Sequence, residues 1–263
     1  MLAELQLNAA RERQRIVAFI RKQTEATGLA HLVLGLSGGV DSALAAALCA
    51  EAVGPQRVHA YILPYATSNP ESEAHARLVI SALGLPWERF EITPMVQPLL
   101  ERYPNMDERR KGNIMARCRM LILYDASAAW NGLVVGTSNR TETLLGYFTL
   151  HGDGAAAFKP IAHLYKCQIR QLARHVGVPE AIVAKAPSAD LWKGQTDEGE
   201  LGFTYDEADQ VLYLLTECGQ SVEAIVARGF ERGVVEAIAR RMQATAYKRA
   251  WPPTLEPQNP LIR

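Results

Sequence analysis

The chain has 263 residues, enough for one large domain with a substantial buried core, or for a domain with a helical appendage. Hydrophobic residues make up 48% and charged residues 21%, and Lys plus Arg equal Asp plus Glu at 28 each, so no global basic field exists to hold nucleic acid. No run approaches the ~20 apolar residues of a membrane span, and the charged N-terminal segment lacks the apolar centre of a secretory signal, so a cytoplasmic protein without membrane contact is expected.

An amphipathic helix is predicted over 4–27, followed by a strand over 31–36 and a helix over 41–53. Further strands are predicted at 57–64, 87–93 and 132–137, separated by helices at about 70–84 and 112–130. Such alternation argues for βαβ units and a parallel sheet. From about 160 onward the pattern becomes mainly helical, with runs at 163–177, 179–185, 204–218, 220–228 and 231–249. One domain is therefore expected: an α/β core over about 30–165, helices over 166–250 and an extended, proline-rich tail over 251–263. The polar stretch 188–202 has no apolar period and reads as a surface connector or an active-site lid.

The join of the first strand to its helix carries the strongest chemical signal. Gly38 and Gly39 let the backbone turn sharply and approach a ligand, and the free N–H groups at the start of the following helix attract an anion. Ser37 and Ser42 are expected to add hydroxyl donors. A carboxylate beside a phosphate repels it unless a cation lies between, so Asp41 reads as a Mg²⁺ ligand, with a helix cap as the alternative. Asp41 is expected in a solvent-facing loop. Neither the Walker A spacing nor G-x-G-x-x-G occurs.

In an open parallel sheet, ligands sit beyond the carboxyl ends of the strands. The turns at Ser37, at Pro64-Tyr-Ala-Thr-Ser68 and at Gly136-Thr-Ser-Asn139 are therefore expected to line one crevice. Glu142 follows the last of these and pairs with Asp41 as a Mg²⁺ site, unless it is an ordinary surface residue. Lys166 is suited to neutralise a phosphate. Arg117 and Arg119 are expected near the start of a helix. Cys49, Cys118, Cys167 and Cys218 form no C-x-x-C pair and have no His at ligand spacing, so neither zinc nor an iron–sulfur cluster is expected.

The loop SGGVDS resembles the pyrophosphate loop of the ATP pyrophosphatase superfamily. KGNIMAR, GTSNRTE, LGYFTLHGD, KPIAHLYK, APSADLW, DEGELGFTYDE and AYKR follow in an order similar to that of ammonia-dependent NAD synthetases, over about residues 30–250. This resemblance implies a Rossmann-like parallel sheet flanked by helices (adenine nucleotide α-hydrolase-like), with a helical C-terminal part. It also implies a ligase that adenylates deamido-NAD with ATP and then exchanges AMP for ammonia. Carried over residue by residue, Gly35, Leu36, Ser37, Gly38, Gly39, Val40, Asp41 and Ser42 match the ATP loop. Thr137, Lys166 and Ser188 match further ATP contacts, and Asp41 and Glu142 match the magnesium ligands. Arg117, Tyr147 and Lys248 match the deamido-NAD site.

Leu150 and Ala157 depart from the family pattern, standing where some members carry a lysine and an aspartate that contact the dinucleotide; Lys159 is a weak candidate to compensate. Asp153 is a candidate to hold ammonium and accept its proton, although it would serve equally as a turn former beside Gly152 and Gly154. The stretch before Ser37 is too short for a glutamine amidase domain, so free ammonia is the expected nitrogen donor. A homodimer with the dinucleotide bound across its interface is also implied. Two other readings rest on the shared loop: another ATP pyrophosphatase acting on a purine or RNA, and a nucleotide sensor without turnover.

Overall fold

The computed structural model describes residues 1–188, 190–191 and 194–255. Four strands, β1 (His31–Gly35), β2 (Val58–Ile62), β3 (Trp87–Arg89) and β4 (Gly132–Val134), form a parallel sheet in the order β3-β2-β1-β4. The helices are α1 (Ala9–Thr27), α2 (Val40–Val53), α3 (Pro70–Leu83), α4 (Thr93–Arg102), α5 (Glu108–Ala129), α6 (Arg140–Leu145), α7 (Lys166–His175), α8 (Glu180–Val183), α9 (Asp197–Leu201), α10 (Tyr205–Thr216), α11 (Val222–Ala227) and α12 (Arg232–Ala244).

Alternation along the central strands sorts their side chains between two cores. Leu32 and Leu34 of β1 join Val58, Ala60 and Ile62 of β2 against α1, α2, α3 and α7. Val33 and Tyr61 face the other way, against Val96 of α4 and Met115 and Ile122 of α5. Burial on both faces explains why β1 and β2 read as nearly continuous apolar runs. A third cluster joins Leu5 and Leu145 to Val211 and Leu212 of α10, Ile225 of α11, and Val235 and Ile238 of α12. Among the described residues, no helix is long and apolar enough to cross a membrane.

Several boundaries differ from those expected, each for a local reason. α1 begins at Ala9 because the Asn8 side chain caps it, accepting the Arg11 N–H at 3.0 Å. α5 begins at Glu108, where Asp107 accepts the Arg110 N–H at 2.7 Å, so Arg117 and Arg119 lie mid-helix rather than near its start. The strand expected over 87–93 stops at Arg89: the Phe90 N–H still bonds to Ile62 O and the Ile92 N–H to Pro64 O, but Pro64 has no N–H to donate back, and α4 follows. β4 stops at Val134; beyond it the Gly136 N–H bonds to Phe158 O. Within 188–202 the short α9 is capped by Thr196, while residues 189, 192 and 193 lie outside the described residues. So do residues 256–263 of the expected tail.

From β1 the chain adds β2 and then β3 on one side, while β4 joins on the other. The topological switch point, where open parallel sheets bind ligands, therefore falls between the carboxyl ends of β1 and β4.

Candidate active site

At that switch point opens a cavity of about 1670 Å³, larger than the ~300–1,000 Å³ typical of a pocket for one drug-sized ligand. The three turns expected to share a crevice all line it: Ser37 and Gly39, Pro64 to Ser68, and Gly136 to Ser138. Gly35, Leu36, Val40, Thr137, Arg117, Tyr147, Asp153, Ser188 and Lys248 line it as well. The space is sufficient for two nucleotide substrates.

The phosphate loop is built from glycine geometry. Gly38 has φ +79°, and a Cβ there would stand 2.1 Å from Ser72 O, so the first turn of α3 packs directly on the loop. Gly39 is the N-cap of α2 and offers no side chain to it, which leaves the first amides of that helix for an anion. Ser42 lines the cavity and is buried, and its hydroxyl donates to Gly39 O at 3.0 Å, which shapes the loop. The exposed Ser37 hydroxyl accepts the Gly39 N–H at 3.3 Å.

Asp41 is the second residue of α2, neither its cap nor part of a solvent-facing loop, and its side chain is only 16% exposed. Its Oδ1 accepts from Asn139 Nδ2 at 2.9 Å, and its Oδ2 lies 2.5 Å from Lys166 Nζ. Lys166 Nζ is also 3.4 Å from Glu142 Oε1. Lys166 thus sits between the two acids, an arrangement the sequence did not reveal. Burial works against its charge, but Asp41 and Glu142 outweigh that penalty and raise its pKa. Burial, together with the neighbouring Asp41 charge, pushes the Glu142 carboxyl up to about 8.

Two buried polar residues here are not among the site residues expected from the sequence: Asn139, which positions this cluster, and Asp197. Asn139 is fully buried: its Oδ1 accepts the Glu142 N–H at 2.9 Å while Nδ2 holds Asp41, and Glu142 Oε2 accepts the Asn139 N–H in return. This capping box starts α6, and the N-x-x-E spacing of GTSNRTE was its readable signal. Asp197, also buried, accepts the hydroxyls of Tyr205 at 3.0 Å and Tyr147 at 3.2 Å.

The opposite wall is cationic. Lys248 Nζ donates to Gly146 O at 2.8 Å and Phe148 O at 2.7 Å, and burial with nearby Arg109 and Arg241 lowers its pKa. Arg117 donates to Leu150 O at 3.3 Å, so position 150 serves that arginine through its backbone. Asp153 Oδ1 accepts the Thr149 N–H at 2.8 Å, which fixes the turn; burial raises its carboxyl, against the pull of that amide, Lys159 and Lys248. The Ser188 hydroxyl donates to Gln195 O at 2.7 Å at the rim.

Among the described residues, no three His, Cys, Asp or Glu side chains are grouped to hold a metal ion. The pair Asp41 and Glu142 nonetheless suits Mg²⁺, which typically takes one or two carboxylates and completes its shell with water and substrate phosphates. At neutral pH the proton on Glu142 balances the site in the free chain; a cation arriving with a polyphosphate would displace that proton and leave two carboxylates facing one lysine, so an additional cation fits.

A profile of the family described as NAD synthase matches residues 12–252. The chain belongs to the NAD synthase family. The NH(3)-dependent NAD(+) synthetase of Trichlorobacter lovleyi is 49% identical over 251 residues, 95% of this chain and 92% of that protein. That of Fusobacterium nucleatum is 47% identical over 249 residues, 95% of this chain and 96% of that protein. Among solved structures, the NMN synthetase from Francisella tularensis matches with a TM-score of 0.85 at 32% identity, covering 97% of this chain and 100% of that one. The NH3-dependent NAD synthetase from Campylobacter jejuni matches with a TM-score of 0.82, also at 32% identity, covering 95% and 100%. Every site residue named above falls inside the span that matches the family.

Proposed function

We infer that the chain is a ligase that amidates deamido-NAD with ammonia, consuming ATP and releasing AMP and pyrophosphate. A carboxylate is a poor acyl donor because its leaving group would be oxide. The pyridine carboxylate therefore attacks the α-phosphorus of ATP, the bond to the β-phosphate oxygen breaks, and pyrophosphate departs. Ammonia then attacks the carbonyl carbon of the mixed anhydride, the bond to AMP breaks, and the nitrogen loses a proton. The observation that carries this reading is Lys166 held between Asp41 and Glu142, beside a helix N-terminus with no side-chain cap.

Each wall then has a role. The loop from Gly35 to Ser42 cradles the phosphates with backbone amides, and Thr137 and Ser188 border the nucleotide. Lys166 carries positive charge toward the phosphoryl oxygens, where such charge stabilises the transition state. Asp41 and Glu142 are the residues that hold Mg²⁺, which supplies Lewis-acid charge at the phosphates when bound. Arg117, Tyr147 and Lys248 hold deamido-NAD, and Asp153 accepts the ammonium proton.

A homodimer in the cytoplasm is the proposed working state. Its support is the outer stripe of α5, where Leu121 and Tyr124 are 56% and 40% exposed on the same face as Arg117. Pairing there would close the cavity with a second copy.

The test is a product balance. Purified protein with ATP, Mg²⁺, deamido-NAD and ammonium should give NAD, AMP and pyrophosphate in equal amounts. ADP and phosphate, or no turnover of deamido-NAD, would refute the assignment. A nicotinate mononucleotide is the second reading, favoured by Leu150 and Ala157 in place of side chains that contact the dinucleotide. A higher kcat/KM for the mononucleotide would select it.

A further inference from the structure

Asp209, on α10, is fully buried, has no part in the chemistry above, and forms no ion pair among the described residues. Both its oxygens are engaged. Oδ1 accepts the Thr141 hydroxyl at 2.5 Å, and Oδ2 accepts the Cys167 backbone N–H at 2.7 Å. The Thr141 hydroxyl in turn accepts the Lys166 backbone N–H at 3.1 Å. Thr141 precedes Glu142 on α6, and Cys167 follows Lys166 at the start of α7. One carboxylate therefore grips the neighbours of two residues whose side chains meet 3.4 Å apart.

A buried carboxylate without a cation is costly, and an apolar residue of similar volume is often the more stable choice. Here part of the cost is offset by the N-terminal dipole of α7 and by hydrogen bonds to the charged oxygens. That compensation explains how the charge is tolerated. The pattern of partners explains what it does: the Arg140 N–H of α6 bonds to Leu164 O just ahead of α7, and among the described residues the bonds from α6 that reach the backbone of α7 itself run through Thr141 and Asp209.

We propose that Asp209 is a positioning residue that ties the first turn of α6 to the first turn of α7, and so sets Glu142 and Lys166 at their working distance beside Asp41. The proposal rests on the catalytic reading of Lys166 given above. Misplacing a catalytic group by about 1 Å costs on the order of 10²-fold in rate, so a loosened tie should be seen in kcat. Substrate affinity should change little, because Asp209 touches neither the phosphate loop nor the cationic wall.

The experiment compares Asp209→Asn, Thr141→Val, Thr141→Ser and Lys166→Met in the full chain, recording kcat, both KM values, ATP–pyrophosphate exchange and the thermal midpoint. Expected are losses of about 10- to 100-fold in kcat and in exchange for Asp209→Asn and Thr141→Val, with KM values within about twofold. Thr141→Ser keeps the hydroxyl and should restore near-parental kcat. A double variant that combines Asp209→Asn with Thr141→Val should lose no more than the worse single one, because both changes cut one link. Should Asp209→Asn fail to fold, the two Thr141 variants decide the matter.

If Thr141→Val lowers the midpoint while kcat stays within twofold of the parent, Asp209 is merely a structural cap and the positioning role is overturned. Equal losses for Thr141→Ser and Thr141→Val would also overturn it. Full activity in Lys166→Met would instead remove the catalytic reading beneath it. Normal kcat in Thr141→Val beside a dead Lys166→Met would strike the positioning role alone.

Discussion

The two sides of the cavity are built by different means. On one side the Ser37–Ser42 loop makes its surface from backbone: a glycine at φ +79°, a glycine N-cap and the amides of α2. The side that meets it through Asp41 is lined by the Glu142 and Lys166 side chains, held from behind by the fully buried Asn139 and Asp209; these four come from α6, α7, α10 and the turn before α6. A backbone surface is encoded locally and depends on a few glycines. A side-chain surface depends on partners far apart in sequence, each of which leaves another unsatisfied when removed.

The largest effect should therefore come from the centre of the side-chain wall. Lys166→Met removes the charge between Asp41 and Glu142 and should lower the rate of NAD formation by on the order of 10³-fold. Asp41→Ala should also abolish adenylation. Unlike a change in an exposed loop, it breaks the bonds to Asn139 and Lys166, so the thermal midpoint should fall as well. A midpoint equal to the parent's would show that Asp41 is less integrated than its contacts indicate.

The backbone side should break at Gly38. In Gly38→Ala the new methyl meets Ser72 O, and the left-handed backbone is strained besides, so α3 and the loop must separate. Stability should drop by ~2–4 kcal/mol, with ATP KM raised at least tenfold. Gly39 has no such neighbour, its nearest contact being Ser37 Oγ at 3.4 Å, so Gly39→Ala is the milder control. Equal damage at both positions, read by denaturant unfolding and ATP titration, would mean that close packing on α3 is not what demands a glycine.

This contrast explains what the sequence revealed. The phosphate loop is legible because strand, glycines and helix start are contiguous, and β1, β2 and α2 show as apolar runs bounded by turn residues. α6 escaped notice because six residues are too few to show a period, although Asn139 and Glu142 carried the spacing of a capping box. The charge of Glu142 points to a metal, while its second task as a helix-starting residue shows only once Asn139 is seen to cap α6. Arg117 lies mid-helix because Asp107 caps α5 ahead of the apolar pattern that begins at 112. Nothing near Asp209 in sequence points to Thr141 or Cys167, which lie 68 and 42 positions away. Contacts of that range follow from the fold rather than from any local pattern.

A smaller effect is expected on the cationic wall. Lys248 secures the turn around Tyr147 by donating to Gly146 O and Phe148 O, so Lys248→Ala should raise the KM for deamido-NAD by about tenfold and lower the thermal midpoint by a few degrees, with ATP KM nearly unchanged. A loss confined to kcat would detach Lys248 from substrate binding.

The smallest effect concerns stability and pH. The Glu142 carboxyl, raised from its ordinary 4.5 to about 8, keeps its proton in the folded chain over a range where the unfolded chain has lost it. Its contribution is fully present below pH 4.5 and is lost as pH rises through 8, because the folded state must then carry a second buried negative charge beside Asp41. Glutamine has no proton to lose. Without nucleotide or divalent ions, Glu142→Gln should match the parent's thermal midpoint near pH 5 and exceed it by a few degrees at pH 8.5. Adding ATP with Mg²⁺ should reverse that order, since a cation between the acids favours the ionised carboxylate that only the parent possesses. An unchanged order would leave Glu142 with its helix-starting role and no part in holding the ion.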